Sequence, residues 1–193
     1  KGFKDIQFDY VRFPTDGNRS IIDYGEAGKK ESMAEAIAGF LDYAREELKE
    51  YGVYVSADIF GLVTTVSDDM QLGQHLETLA PATDMLLPMA YPSHYALGTY
   101  GVAIPDKDPY TIVYTSMNTA RERIEALETD KPKAIVRPWL QDFTASYLGA
   151  GKYQKYGKEQ VKAQIKATYD AGLEEWVLWN AGNRYTWEAL IEN

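Results

Sequence analysis

Two aspartates stand at matching places in consecutive strand-like runs: Asp9 in "DIQFDYVRFP", residues 5–14, and Asp58 in "VYVSADIF", residues 53–60. In the first run Ile6 and Phe8 alternate with Gln7 and Asp9; in the second Val55, Ala57 and Ile59 alternate with Ser56 and Asp58. Side chains switch faces at every residue of a strand, so both carboxylates fall on the polar face. Carboxylates roughly 5 to 9 Å apart on neighbouring strands can divide a reaction, one as nucleophile or base and the other as acid, when unlike surroundings separate their pKa values. The structural alternative is that Asp9 pairs with Arg12 or Arg137 and that Asp58 accepts backbone amides.

Other chemistry-bearing side chains gather where later strand-like runs end. They are Tyr91 and His94 in "MAYPSHY", Arg137, Trp139, Gln141 and Asp142 in "RPWLQDF", and Trp179, Asn180 and Asn183 in "LWNAGN". Flat aromatic faces beside polar groups suit a polar, ring-shaped ligand such as a sugar. His75 falls in a polar helical stretch and reads as a surface residue, whereas His94 at a strand end is placed to contact substrate or tune a carboxylate. With only two histidines and no cysteine, a catalytic zinc, a disulfide and a thiol nucleophile find no support. No serine sits in a nucleophile elbow, which disfavours a serine hydrolase, and no glycine-rich phosphate loop follows a strand, which disfavours a nucleotide; no metal and no cofactor are expected.

The 193 residues carry 20 basic and 29 acidic side chains, a net −9, and no basic cluster, which argues against nucleic acid as a partner. No apolar run approaches the roughly 18 residues of a membrane span. The opening "KGFKDIQF" has no initiator Met and no signal-like apolar region. Any targeting signal is therefore expected elsewhere.

The elements that must position these residues keep a βα rhythm. Five strand-like runs, "DIQFDYV", "VYVSADIF", "MLLPMAY", "KAIVRPWL" and "EEWVLWN", are each followed by a helix-like segment. In the first helix Ser32 and Glu35 form a capping box, Met33, Ile37, Leu41, Ala44 and Leu48 an apolar stripe, and Gly52 the stop. The others are "SDDMQLGQHLETLA", "SMNTARERIEALE", "GKEQVKAQIKATYDAG" with its stop at Gly172, and a short "YTWEALIEN". The loops at 92–115 and "TASYLGAGKYQKYG" are long; the second reads as mobile.

Alternating strands and helices imply a parallel sheet, either doubly wound or closed into a barrel. The polar strand face, with Gln7, Asp9, Ser56, Asp58, Arg137 and Gln141, favours a barrel interior, since both faces of a doubly wound sheet are covered and apolar. A closed (β/α)8 barrel has eight units and about 250 residues, so residues 1–193 read as a single domain, the last five units of an α/β TIM-type barrel. The runs at 5–11 and 174–180 would then present open edges, inviting self-association.

Together "IQFDYVRFPTDG", "SADIFG", "PMAYPSHY", "RPWLQDF" and "WVLWNAGNRYTWEAL" resemble a bacterial glycoside hydrolase domain family, long filed as a domain of unknown function, over the C-terminal portion of that domain. The resemblance implies a (β/α)8 barrel of glycosidase type in proteins exported or tied to the cell envelope. Asp9 is similar in placement to the fourth-strand nucleophile of amylase-like barrels, and Asp58 occupies the fifth-strand position where those enzymes carry Glu. "MAYP" and Trp179 are similar to the sixth-strand tyrosine and eighth-strand tryptophan of chitinase-like barrels. The activity this resemblance implies is glycosidic bond hydrolysis in a cell-wall or extracellular polysaccharide, with Asp9 as nucleophile or transition-state stabiliser and Asp58 as general acid/base. Arg12 and Arg137 would hold Asp9 ionised, and Tyr91, His94, Trp139, Gln141, Asp142, Trp179 and Asn180 would bind sugar. The alternative is a non-catalytic carbohydrate-binding or envelope module on the same scaffold.

Overall fold

The computed structural model describes residues 2–191. Along the chain run β1 (Asp5–Phe8), α1 (Met33–Leu48), β2 (Tyr54–Phe60), α2 (Leu76–Leu79), β3 (Met85–Met89), α3 (Pro109–Glu125), β4 (Ile135–Val136), β5 (Trp139–Gln141), α4 (Lys158–Asp170) and β6 (Val177–Trp179). They divide into two compact units, Lys1–Leu87 with Glu122–Ile135, and Pro88–Arg121 with Val136–Asn193. Among the described residues no helix is long and apolar enough to cross a membrane.

In the first unit β1 and β2 run parallel, with Ile6 opposite Val55, Gln7 opposite Ser56 and Phe8 opposite Ala57. The apolar face is the one the alternation predicts: Val55, Ala57 and Ile59 are fully buried, and Phe8 meets Phe40 of α1 edge-on at 5.0 Å. Helix α1 starts at the capping box, where the Glu35 N–H donates to Ser32 Oγ (3.2 Å) and the Ser32 N–H donates to Glu35 Oε2 (2.7 Å). These bonds from Ser32 hold the Glu35 carboxyl below the usual carboxylate range. Ala34, Ile37, Leu41 and Ala44 form its buried stripe, and truncating fully buried Leu41 to Ala is expected to cost about 2–5 kcal/mol. A tight turn, Lys49–Tyr51, comes next, and the chain reverses at Gly52 with φ 63°.

Residues 67–80 depart from the predicted helix, of which only Leu76–Leu79 is helical. Asp68 and Asp69 accept the backbone N–H groups of Met70 and Gln71, closing side-chain turns that compete with a helix, and Met70 and Gln71 take positive φ. The first strand also ends earlier than its pattern, at Phe8, because Tyr10 adopts φ 57°.

In the second unit β5 pairs in parallel with β6, Gln141 opposite Trp179, and with the end of β3 at Met89 opposite Trp139. The predicted strand "KAIVRPWL" is instead two short ones, β4 and β5, separated by Arg137-Pro138. Proline has no N–H for a ladder and restricts the residue before it. Helix α3 begins at Pro109, seven residues before the predicted start, its fixed φ suited to a first helical turn. The preceding loop, 92–108, is threaded by three single 3₁₀ turns. Helix α4 matches its prediction and stops at Gly172, φ 81°. The final "YTWEALIEN" is a 3₁₀ turn, Trp187–Ala189, rather than a helix; Glu192 and Asn193 lie outside the described residues.

Candidate active site

In the first unit the polar faces of β1 and β2 are cross-linked. Ser56 donates its hydroxyl to Asp5 Oδ1 (2.8 Å), and the Gln7 side-chain amide donates to both Asp58 oxygens at 2.8 and 2.9 Å. Ser56 and Asp58 are buried at 0% and 6% exposure, while Asp9, one residue past the end of β1, is exposed and accepts the Tyr10 N–H at 2.7 Å. A buried carboxylate and a solvent-facing one thus stand at the ends of paired strands.

The expected Asp9–Arg12 ion pair is not what Arg12 makes. Its guanidinium donates to the Phe13 carbonyl (3.4 Å) and Thr15 Oγ1 (3.3 Å) and lies over the rings of Tyr10 and Phe60, 5.2 and 5.4 Å from their centroids. The positive φ of Tyr10 turns the chain after Asp9 and brings that ring under Arg12. Within the second unit Arg137 Nε pairs with Glu175 Oε2 at 2.5 Å.

His75 is half-buried rather than a free surface residue. It precedes α2, with Nδ1 2.8 Å from Thr78 Oγ1 and Nε2 3.4 Å from Glu77. With Thr65, Val66, Ser67, Glu77 and Arg123 it lines a cleft of about 280 Å³. Arg123 grips both Glu77 oxygens at 2.6 Å and donates to the Val63 and Thr64 carbonyls. Burial pushes the Glu77 carboxyl up, but the Arg123 hydrogen bonds, with a backbone bond and the charges of Arg123 and His75, hold it below the usual range.

The second unit is organised around buried Gln141. Its Oε1 accepts the Ser93 N–H at 3.0 Å, and its Nε2 donates to Asp106 Oδ1 and the Phe143 carbonyl, each at 3.0 Å. Its backbone is held from α4 by Gln164, which accepts the Gln141 N–H and donates to its carbonyl. Asp106, 1% exposed, also accepts the Gln154 N–H through Oδ2, while its carbonyl accepts the Gln154 amide and the Tyr156 hydroxyl. Burial, then the Asp106 charge, drives the Tyr156 hydroxyl pKa well above its ordinary value. The loop 144–157, expected to be mobile, is therefore pinned at Gln154 and Tyr156.

Tyr91 is buried, its ring edge-on to His94 at 5.2 Å and to Phe143 at 6.0 Å. His94 reaches the surface with Nδ1 3.0 Å from Ser93 Oγ, which lies 3.4 Å from the Tyr147 hydroxyl. Partial desolvation lowers the His94 pKa, favouring the neutral ring. Trp139 and Trp179, on adjacent strands, meet edge-to-face at 5.9 Å, and Trp179 remains 42% exposed.

Asp142 is committed to fastening a turn. Buried at 3%, it accepts the Thr186 N–H (2.7 Å) and hydroxyl (2.6 Å), and its carbonyl accepts the Asn180 amide at 2.5 Å. Asn180 Oδ1 accepts the Gly182 N–H at 2.8 Å, and Asn183, exposed with φ 51°, donates its N–H to the Asn180 carbonyl. Sequence reasoning did not single out Gln74, Ser93, Asp106, Gln154 or Gln164. Gln164 had a signal: with Val161, Ala167 and Thr168 it falls on the buried face of α4, where a glutamine needs backbone partners.

The family described as "Putative glycosyl hydrolase domain" matches residues 1–185. No curated protein matches the chain in sequence. Among solved structures, the spore cortex-lytic enzyme SleL of Bacillus cereus is similar at a TM-score of 0.57 and 11% identity, covering 97% of this chain and 48% of that one. The PgaB (BpsB) glycoside hydrolase domain of Bordetella bronchiseptica matches at 0.52 and 13%, over 80% of this chain and 39% of that one. An endo-laminarinase from Formosa matches at 0.50 and 13%, over 86% and 47%. The chain spans about half the length of these structures or less. At such identities the likeness bears on fold alone: α/β, of the (β/α) barrel type, with only part of a barrel in this chain.

Proposed function

The chain belongs to the family described as "Putative glycosyl hydrolase domain", and on that premise we propose that it takes part in hydrolysing glycosidic bonds of a cell-wall or extracellular polysaccharide. The observation that carries the reading is the pair of unlike carboxylates in the first unit, Asp58 buried and held through both oxygens by Gln7, and Asp9 exposed beyond the paired strand. Asp9 serves as nucleophile or transition-state stabiliser, reached by substrate from solvent, and Asp58 as general acid/base. Within the second unit the exposed Trp179 face beside Trp139 is a stacking surface for a sugar ring. The family description supports a glycosidic substrate, and the motifs "IQFDYVRFPTDG" and "WVLWNAGNRYTWEAL", which resemble those of exported or envelope-tied domains, support a polysaccharide outside the cell or in its envelope.

Isothermal calorimetry with a panel of cell-wall and β-glucan oligosaccharides, run beside a reducing-sugar assay on the full-length protein, tests this. Binding with release of new reducing ends is the expected result. Binding without product turns the reading to a carbohydrate-binding module, and neither removes both.

A further inference from the structure

Gln74 lies in the irregular segment that replaces the predicted second helix, yet it is among the most enclosed side chains of the first unit, at 1% exposure. Its amide is used at three backbone points. Oε1 accepts the Phe60 N–H at 2.9 Å, and Nε2 donates to the Asp58 carbonyl at 3.1 Å and to the Val11 carbonyl at 3.2 Å. Two of these points belong to the C-terminal end of β2 and one to the chain just past β1. They bracket the two strand ends that carry Asp58 and Asp9.

We infer that Gln74 is a positioning residue that sets the separation of Asp9 and Asp58. The inference rests on the glycosidase reading for its catalytic consequence, but its geometric part stands on these bonds alone. Val11 lies two residues after Asp9, beyond the end of β1, so β-ladder bonds do not fix it. Besides Gln74, the Phe13 N–H donating to the Leu72 carbonyl at 2.8 Å holds the same stretch. Both anchors come from one segment, 72–74, and Gly73 is what lets that segment approach. It takes φ 74°, and a Cβ there would come within 2.9 Å of Phe13 Cδ2 and of the Met33 carbonyl oxygen. A primary amide alone among side chains of this size supplies one acceptor and two donors, the set these three groups require.

The chemistry of the site predicts what each replacement does. Gln74→Met keeps length and volume and removes, from a position 1% exposed, the amide to which one N–H and two carbonyls are bonded. Gln74→Glu keeps the acceptor for Phe60 but sets a carboxylate against two carbonyl oxygens; protonated, the same carboxyl donates to one of them.

The experiment measures, on the full chain, backbone hydrogen exchange by mass spectrometry together with kcat and KM on a glycan that the wild type cleaves. In Gln74→Met, exchange over residues 9–13 and at Phe60 is expected to quicken about tenfold or more, while α4 is unchanged. The value of kcat is expected to fall on the order of 10–100-fold with KM within about twofold, as for misplaced catalytic groups. In Gln74→Glu the ratio of its kcat to that of wild type should climb as pH falls, which a general loss of stability would not produce. Unchanged exchange over 9–13 in Gln74→Met overturns the inference, as does a kcat equal to wild type. Should Gln74→Met not fold, Gln74→Glu compared at high and low pH decides by the same exchange readout. If the wild type cleaves no glycan but exchange responds as expected, the glycosidase reading fails while the positioning role of Gln74 stands.

Discussion

Both units hold a buried carboxylate through two accepted bonds, but with different partners and different neighbours. In the second, Asp106 and Asp142 each accept two bonds to protein donors and sit at 1% and 3% exposure; one pins a long loop and the other closes the turn after β6. In the first, Asp58 faces a side-chain amide across the β1–β2 pair, and Asp9 opens to solvent. A strand-end aspartate is thus not a catalytic signature by itself. Asp142 stands at a strand end as squarely as Asp58 does, and its partners, both on Thr186, mark it as a fastening.

Substitution at three of these aspartates breaks or sharpens this contrast. Asp9→Asn and Asp58→Asn are each expected to lower kcat on a cleaved glycan by about three decades or more; at exposed Asp9 the melting temperature should stay close to wild type, whereas at Asp58 the new amide donor faces the Gln7 amide and lowers stability as well. Asp106→Asn is expected to act chiefly on stability. It turns one acceptor oxygen into a donor facing either the Gln141 amide or the Gln154 N–H, and should destabilise the chain by about 1.5–3 kcal/mol in urea titrations while folded protein keeps most of its kcat. Full activity in Asp58→Asn, or a thousandfold loss in Asp106→Asn without loss of stability, would invert the roles assigned to the two units.

How far the sequence foretold this differs by element. Helices α1 and α4 were legible because capping, an apolar stripe and a glycine stop all agree in them, and the polar and apolar faces of β1 and β2 could be read from alternation alone. Residues 67–80 misled because their apolar spacing resembles a helix, while the two aspartates that unwind it act through local side-chain bonds that periodicity does not register. The fourth strand split at Pro138, a signal present in the sequence but outweighed by its apolar run. Arg12 was paired with Asp9 on proximity along the chain; what decides its contacts is the left-handed Tyr10, a conformation uncommon for tyrosine. Asp106 escaped notice because it sits far from any strand, and only the fold brings it to Gln141.

A smaller effect separates binding from turnover in the second unit. Trp179 is 42% exposed and carries its ring against Trp139. Trp179→Ala is expected to raise KM or the calorimetric Kd about tenfold, the worth of one stacked ring, with kcat changed by less than about threefold. A fall in kcat at constant KM would instead give Trp179 a part in the chemistry, which the contrast between units assigns to the first.

The smallest expected effect is a pH dependence at His94. Desolvation beside Tyr91 and Phe143 lowers its pKa in the folded chain, so the folded state binds a proton less readily than the unfolded one. By linkage, stability rises with pH across the window between the lowered folded value and the unfolded value of about 6.5. The contribution is fully present above that upper bound and is lost as pH falls through the window. In His94→Gln this part of the slope should vanish. Melts of both proteins at half-unit intervals from pH 5 to 8 should therefore converge toward the acid end relative to their separation at pH 8. The imidazole reaches solvent, so the difference should be small, and parallel curves would mean that His94 protonates without leaving its place between the two rings.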